Sequence, residues 1–182
     1  KGFNKEQIAG LPIDAPHRNY KDQNHKPEVM VALSDFWLLH GFMPAMALKE
    51  RLTSLAPLHN LLPIFGMDDY AGLYSHFMRL DQSAADAILK PLLALAVEEV
   101  AAGKVDKAHP HWWANKYYGG IVPASNIDKG ILSIYILNIV NVPKYHGVFQ
   151  GAGLLHAYLE GQNIELMANS DNVLRGGLTP KH

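Results

Sequence analysis

A chain of 182 residues, 48% hydrophobic and 18% charged, carries enough apolar material to bury a core and too few charges to read as disordered. Its formal charge of -1 offers no basic field for nucleic acid and no polybasic membrane anchor, and no apolar run reaches the roughly 18 residues a membrane span needs. With no cysteine it can form no disulfide, no thiolate nucleophile and no Cys-type zinc site, a composition that suits a reducing cytoplasm. No signal peptide is evident. Lys1 stands where an initiator Met would, and the sequence reads as an excised piece of a longer polypeptide.

Residues 1–27, with Pro12, Pro16 and Pro27 among many polar side chains, read as loop. The run from Glu28 to Phe42, rich in Val, Leu, Phe and Trp and closed by Gly41 and Pro44, reads as one or two strands buried on both faces. Residues 45–118 read as mainly helical. Pro44 sits where a first-turn proline belongs, Ala45 to Leu52 are good helix formers, and Leu58, Leu61, Leu62 and Phe65 keep a helical spacing up to Gly66. Ser83 with Asp86 spells a capping box, and Pro91 either kinks that helix or opens the next. The stretch from Leu92 to Ala102 is then amphipathic and ends at Gly103. Asp128 can cap a short apolar helix from Gly130 to Leu137, although its β-branched content leaves a strand open. Residues 138–150 read as two strands around a turn from Pro143 to Gly147, and 154–160 with 162–169 as two more turning at Gly161. Strand, helical insert, strand is the pattern, with both β portions in one sheet structure.

Residues two apart in an extended chain share a face, so Lys26 and Glu28 lie together, continued by Met30 and Ala32, while Val29, Val31 and Leu33 pack the other side. A carboxylate there can take a metal ion, with an ammonium beside it for an anion. The bland reading is a surface ion pair worth under ~1 kcal/mol. By the same alternation His156 shares a face with Tyr158 and Glu160, leaving Leu155, Ala157 and Leu159 for the core. Imidazole is the commonest metal ligand, and a hydrogen-bonded structural histidine is the alternative. Asp171 and Arg175 precede Gly176-Gly177, whose backbone freedom permits close approach, and a fixed arginine suits a phosphate or a developing enediolate. The alternative is a solvated Asp–Arg pair in a turn. His109-Pro110-His111-Trp112-Trp113 has a metal-like spacing, but the intervening proline and the lack of a companion carboxylate favour a packed helix–loop corner, with the tryptophans in the core.

Three blocks stand out together: Tyr20-Lys21-Asp22-Gln23-Asn24-His25-Lys26-Pro27-Glu28, followed by Ala32-Leu33, Phe36 and Gly41-Phe42; His156-Ala157-Tyr158-Leu159-Glu160-Gly161 with Glu165-Leu166-Met167-Ala168; and Ser170 to Lys181. In this order they resemble the signatures of type I mannose-6-phosphate isomerases, zinc-dependent aldose–ketose isomerases of the cupin superfamily, and the resemblance runs over nearly the whole chain. It implies a mixed α+β fold, a partial cupin (jelly-roll) β-barrel from residues 1–44 and 128–182 with a mainly helical domain inserted at 45–127. It implies zinc (Zn2+) as cofactor, with Glu28 and His156 as metal ligands. Lys26, Asp171 and Arg175 would line a sugar-phosphate pocket with His25 and Tyr158 beside them; Lys26, Tyr158 and Arg175 would bind substrate, and Arg175, Lys26, Asp171 and His25 are the catalytic candidates. The implied reaction interconverts mannose 6-phosphate and fructose 6-phosphate through a cis-enediol, with a small sugar phosphate as partner and neither nucleic acid nor membrane. The family completes its zinc site with a Gln-x-His segment upstream of the first signature; this chain is read as beginning after that point and as holding no Gln-x-His of its own. Two of four protein ligands are therefore expected outside this chain, and an inactive fragment or a non-catalytic sugar-phosphate-binding module is the competing expectation.

Overall fold

In the computed structural model, which describes residues 2–178, six strands form two three-stranded antiparallel sheets. Strand β1 (Glu28–Ala32) lies at the centre of the first, between β4 (Gly147–Gln150) and β6 (Asn163–Met167). Strand β2 (Phe36–Phe42) lies at the centre of the second, between β3 (Leu137–Val142) and β5 (His156–Glu160). The turns at 143–147 and Gly161 are present, but the strands they join belong to different sheets, so neither turn closes a hairpin. The two sheets pack face to face: Met30 and Ala32 of β1, Phe36 and Leu38 of β2 and Val142 of β3 form one buried cluster, with Val140 and Val148 against it. Burying side chains on both inner faces is what holds such a pair of sheets together.

This sandwich inverts one expectation. Met30 and Ala32 are fully buried, whereas Val29 on the opposite face of β1 and Leu33 just beyond the strand are 38% and 37% exposed. The face that carries Glu28 is the interior of the sandwich, and nothing among the described residues covers the outer side of that sheet as the helices cover the other.

Strands β2 and β3 are hydrogen-bonded neighbours even though residues 43–136 lie between them. Those residues form α2 (Ala45–Ser54), a 3-10 turn (Ala56–Leu61), α3 (Leu62–Phe65), α4 (Tyr70–Arg79), α5 (Gln82–Ala101), α6 (Pro110–Tyr117) and α7 (Ile131–Ile136). Their apolar faces, including Leu52, Phe65, Phe77, Leu89, Leu92 and Trp113, make one core with Leu39 of β2 and Leu137 of β3. Each fully buried Leu or Phe there contributes about 1.5–3 kcal/mol relative to exposure, so the helical layer is anchored on the outer face of the second sheet by its own hydrophobic surface.

Local chemistry sets the helix limits. Helix α5 is capped by Asp81, whose carboxylate accepts from the Ala84 amide at 2.7 Å, and not by the Ser83–Asp86 box. Asp86 faces inward instead and accepts from the amides of Asn126 (2.8 Å) and Ile127 (2.9 Å). Pro91 lies within this single helix. A further difference is α1, Gly2–Ile8, in the segment expected to be loop throughout. It is held by side-chain bonds that leave no periodic signature: Glu6 accepts from the amides of Asn19 (3.1 Å) and Tyr20 (2.8 Å), and the buried Arg18 guanidinium donates to the Tyr20 carbonyl at 2.7 Å.

Candidate metal centre

Strand β1 enters the sandwich at Glu28, which lies opposite Gln150 on one side and Met167 on the other. One carboxylate oxygen of Glu28 is 3.5 Å from Lys26 Nζ and the other is 3.1 Å from His156 Nε2. His156 reaches this point because β5 pairs with β2, setting His156 opposite His40. Its Nδ1 lies 2.9 Å from the Leu154 carbonyl oxygen, a bond that orients the ring with Nε2 toward the Glu28 carboxylate. Glu165 of β6 completes the group: one ligand-capable atom each from Glu28, His156 and Glu165 lies within 4.8 Å of the others. A histidine and two carboxylates are a donor set fitted to a divalent ion such as zinc.

Tyr158 borders the group. Its hydroxyl donates to Glu165 Oε1 at 2.5 Å and accepts from Gln150 Nε2 at 2.9 Å. Burial, reinforced by the bond to Glu165, holds this phenol well above the usual tyrosine range, so it stays a proton donor. Gln150 is fully buried and its Oε1 has no hydrogen-bond partner, an acceptor left open within the same interior face.

The structure thus gathers Lys26, Glu28, His156 and Tyr158, and adds Glu165 and Gln150. Glu160, expected on the His156 face, leaves it. Trp37 pairs with Glu160 but Leu38 pairs with Tyr158, so Leu159 is an extra residue, and this bulge turns Glu160 toward the helices, where it forms ion pairs with Lys107 and Lys116. His25 and Gln23 are exposed on the segment before β1, and with Asn24 between them they do spell Gln-x-His, contrary to the expectation that the chain holds none; the triplet lies inside the first block and not upstream of it.

Asp171 and Arg175 are also exposed, on a segment stapled beside that block. Ser170 Oγ donates to the Asp22 carboxylate at 3.0 Å, Asn172 Nδ2 to the Asp22 carbonyl at 2.9 Å, and Asn24 Nδ2 to the Asn169 carbonyl at 2.9 Å. The segment then crosses to the helical layer through Gly177 (φ 94°), where a Cβ would stand 2.4 Å from Asp128 Oδ1 and 2.7 Å from the Gly130 Cα. Residues 179–182, the end of the third block, lie outside the described residues.

A family model for the phosphomannose isomerase type I catalytic domain matches residues 3–45. The mannose-6-phosphate isomerase of Shigella flexneri is 36% identical over 188 residues, and that of Escherichia coli (strain K12) 35%; each alignment covers 100% of this chain and 44% of the relative. A crystal structure of the Salmonella typhimurium mannose 6-phosphate isomerase bound to substrate (f6p) and zinc superposes with a TM-score of 0.73 at 32% identity, covering 100% of this chain and 44% of that one. Over its whole length the chain is similar to type I phosphomannose isomerases. It spans less than half the length of these relatives. Its mixed α+β architecture, two small antiparallel sheets with a helical insertion between paired strands, is that of the phosphomannose isomerase structures it matches.

Two members of the centre were not picked out from the sequence as site residues. Glu165 lies in the second signature, and the period of two along Asn163, Glu165 and Met167 was the available signal for its inward face. Gln150 had none, because its place depends on cross-strand register with Glu28.

Proposed function

We propose that this chain carries part of the active site of a zinc-dependent isomerase that interconverts mannose 6-phosphate and fructose 6-phosphate through a cis-enediol. The observation that carries the reading is the approach of His156 Nε2 to Glu28 at 3.1 Å, with Glu165 in reach of both. Glu28 and His156 would hold the ion. Zinc supplies a Lewis acid for the carbonyl oxygen of the sugar. The rest falls to the chain's own groups. The reaction takes a proton from C2 and returns it to C1 while a second proton moves between the two oxygens. Lys26, beside Glu28, offers an ammonium for the anionic substrate, and Tyr158 offers a hydroxyl that burial keeps protonated. Arg175 adds a permanent positive charge on the bordering segment, at the enediolate or the phosphate. Lys26, His25 and Asp171 are the candidates for moving the proton, with Glu165 added by its place in the cluster. The same reading assigns residues 1–44 and 128–182 to the catalytic cupin portion and 45–127 to the insertion, supported by the pairing of β2 with β3 across the helices. The same reading takes the setting as cytoplasmic, which a cysteine-free composition suits.

Elemental analysis of the purified chain, with a coupled assay of mannose 6-phosphate turnover, tests the assignment. A zinc-binding event, resolved by titration beside the elemental analysis, that is present in the wild type and weakened at least about tenfold in both His156→Gln and Glu28→Gln supports it, since even outer-shell changes cost about 10–100-fold in affinity. A titration in which no event changes in either variant sinks the ligand assignment. In a polypeptide with measurable turnover, Arg175→Ala is expected to abolish it while leaving the circular dichroism unchanged; near-normal kcat removes Arg175 from the mechanism.

A further inference from the structure

Away from the centre just described, Glu99 near the end of α5 meets His109 and His111 at the start of α6. One ligand-capable atom from each lies within 4.8 Å of the others. His111 Nδ1 is 2.7 Å from Glu99 Oε2, and the two imidazole rings sit 4.6 Å apart at 76°. The carboxylate missing from the His109-Pro110-His111 segment is supplied from twelve residues earlier in the chain. Pro110 is the first residue of α6, so His109 becomes its N-cap: His109 Nδ1 accepts from the His111 amide at 3.2 Å, which leaves His109 Nε2 available. His111 is 1% exposed, and its Nε2 is buried with no hydrogen-bond partner. A buried imidazole nitrogen without a partner is costly and calls for an explanation.

Burial holds both imidazoles below the usual histidine range, Glu99 pulling the other way and Arg51 adding to the effect. Arg51 is the group that opposes a cation, and its Nη1 is itself buried and unpartnered.

We propose that Glu99, His109 and His111 form a second site for a divalent transition-metal ion of the zinc class, within the helical insertion and separate from the Glu28–His156 centre. Two imidazoles and a carboxylate suit zinc, cobalt(II) and nickel(II) alike. Donors about 2.0–2.2 Å from an ion stand roughly 3.3 Å apart in a tetrahedral site, so atoms already within 4.8 Å need move only by about an ångström. An open hollow of about 430 Å³ lined by Gly103, Lys104, Val105, Asp106, Ala108 and His109 gives access from solvent. The ion would clamp α5 to the start of α6; Lys107, just before that corner, and Lys116, in the last turn of α6, are the partners of Glu160 on the His156 strand. Its structural effect would thus reach the strand of the first centre without sharing a ligand with it.

The test is a cobalt(II) titration of the purified chain, read by calorimetry and by visible absorption. The expected result is a binding event that survives the Glu28→Gln/His156→Gln double change. It weakens at least about a hundredfold in Glu99→Gln/His109→Asn, in which Asn preserves the helix cap but is a poor ligand. Arg51→Met should tighten the same event, on the order of tenfold, by removing a nearby positive charge. An unchanged isotherm in folded Glu99→Gln/His109→Asn protein overturns the site. Should that variant not fold, imidazole 15N spectra of the wild type decide. Zinc is expected to shift the His109 and His111 ring nitrogens, and rings that do not respond at saturating zinc overturn the proposal.

Discussion

Asp22 helps set where the Asp171–Arg175 segment lies. Its carboxylate accepts from the Asn24 amide (2.8 Å), Ser170 Oγ (3.0 Å), the Asp171 amide (3.2 Å) and Asn172 Nδ2 (3.1 Å). Burial raises its proton affinity, but these donors outweigh burial and hold the carboxyl below the usual range. A folded pKa below the unfolded one means the stabilisation is complete above the unfolded value near about 3.9 and is lost as the pH falls through the folded value. Protection of the Asp171 and Asn172 amides, corrected for the intrinsic exchange rate, should therefore hold at neutral pH and fall in acid below about pH 4, and Asp22→Ala should already have lost it at pH 7. Slow exchange in that variant at neutral pH would mean other contacts place the segment. Tyr158 is the second such residue. Tyr158→Phe leaves the buried Gln150 amide without its acceptor, and urea unfolding should show a loss of about 1–2 kcal/mol.

At the scale of elements, β2 and its neighbours depend on two irregular points. Gly161 joins β5 to β6 at φ 125°, and a Cβ there would lie 2.6 Å from Phe36 Cδ2 and 2.7 Å from the Asp35 carbonyl oxygen. Gly161→Ala is strained in backbone and in space, and a stability loss of about 1–3 kcal/mol is expected by denaturant titration. At the other end of β2 the register with β3 shifts between Leu39 and Phe42, freeing carbonyls that Asn138 gathers: its Nδ2 lies 3.0, 3.2 and 2.9 Å from the carbonyl oxygens of His40, Gly41 and Phe42. The bulge between Trp37 and Leu38 explains why simple alternation placed Glu160 on the wrong face. A period of two holds only while the ladder is regular.

Across the whole molecule, the helical insertion is a very long connection between two paired strands, and one apolar core spans it and the outer face of its sheet. Trp113 sits at that junction, buried, with its ring centroid 5.8 Å from that of Trp37 and its Nε1 donating to the Lys107 carbonyl at 2.7 Å. Trp113→Ala should cost about 3–5 kcal/mol and lower a single melting transition seen alike in near- and far-ultraviolet circular dichroism. Two separate transitions, with only the helical one displaced, would show that sheet and insertion do not share a core.

Much was legible in the sequence because it depends on neighbours along the chain. Helix formers and stop residues marked 45–118 as helical, apolar runs marked the strands, and three ordered blocks carried the family resemblance and drew attention to Lys26, Glu28, His156 and Tyr158, which the fold brings close together. What only the tertiary structure decided depends on pairings between distant residues. Which face of β1 is interior follows from the sheet packed against it, so Val29 is outside and Met30 inside. Glu165 and Gln150 enter the centre through cross-strand register, Glu160 leaves it through a bulge, and Glu99 reaches His111 only because α5 and α6 pack side by side. Register, bulge and helix contact are set by the free energy of the whole packing, and no single segment of the chain carries that information.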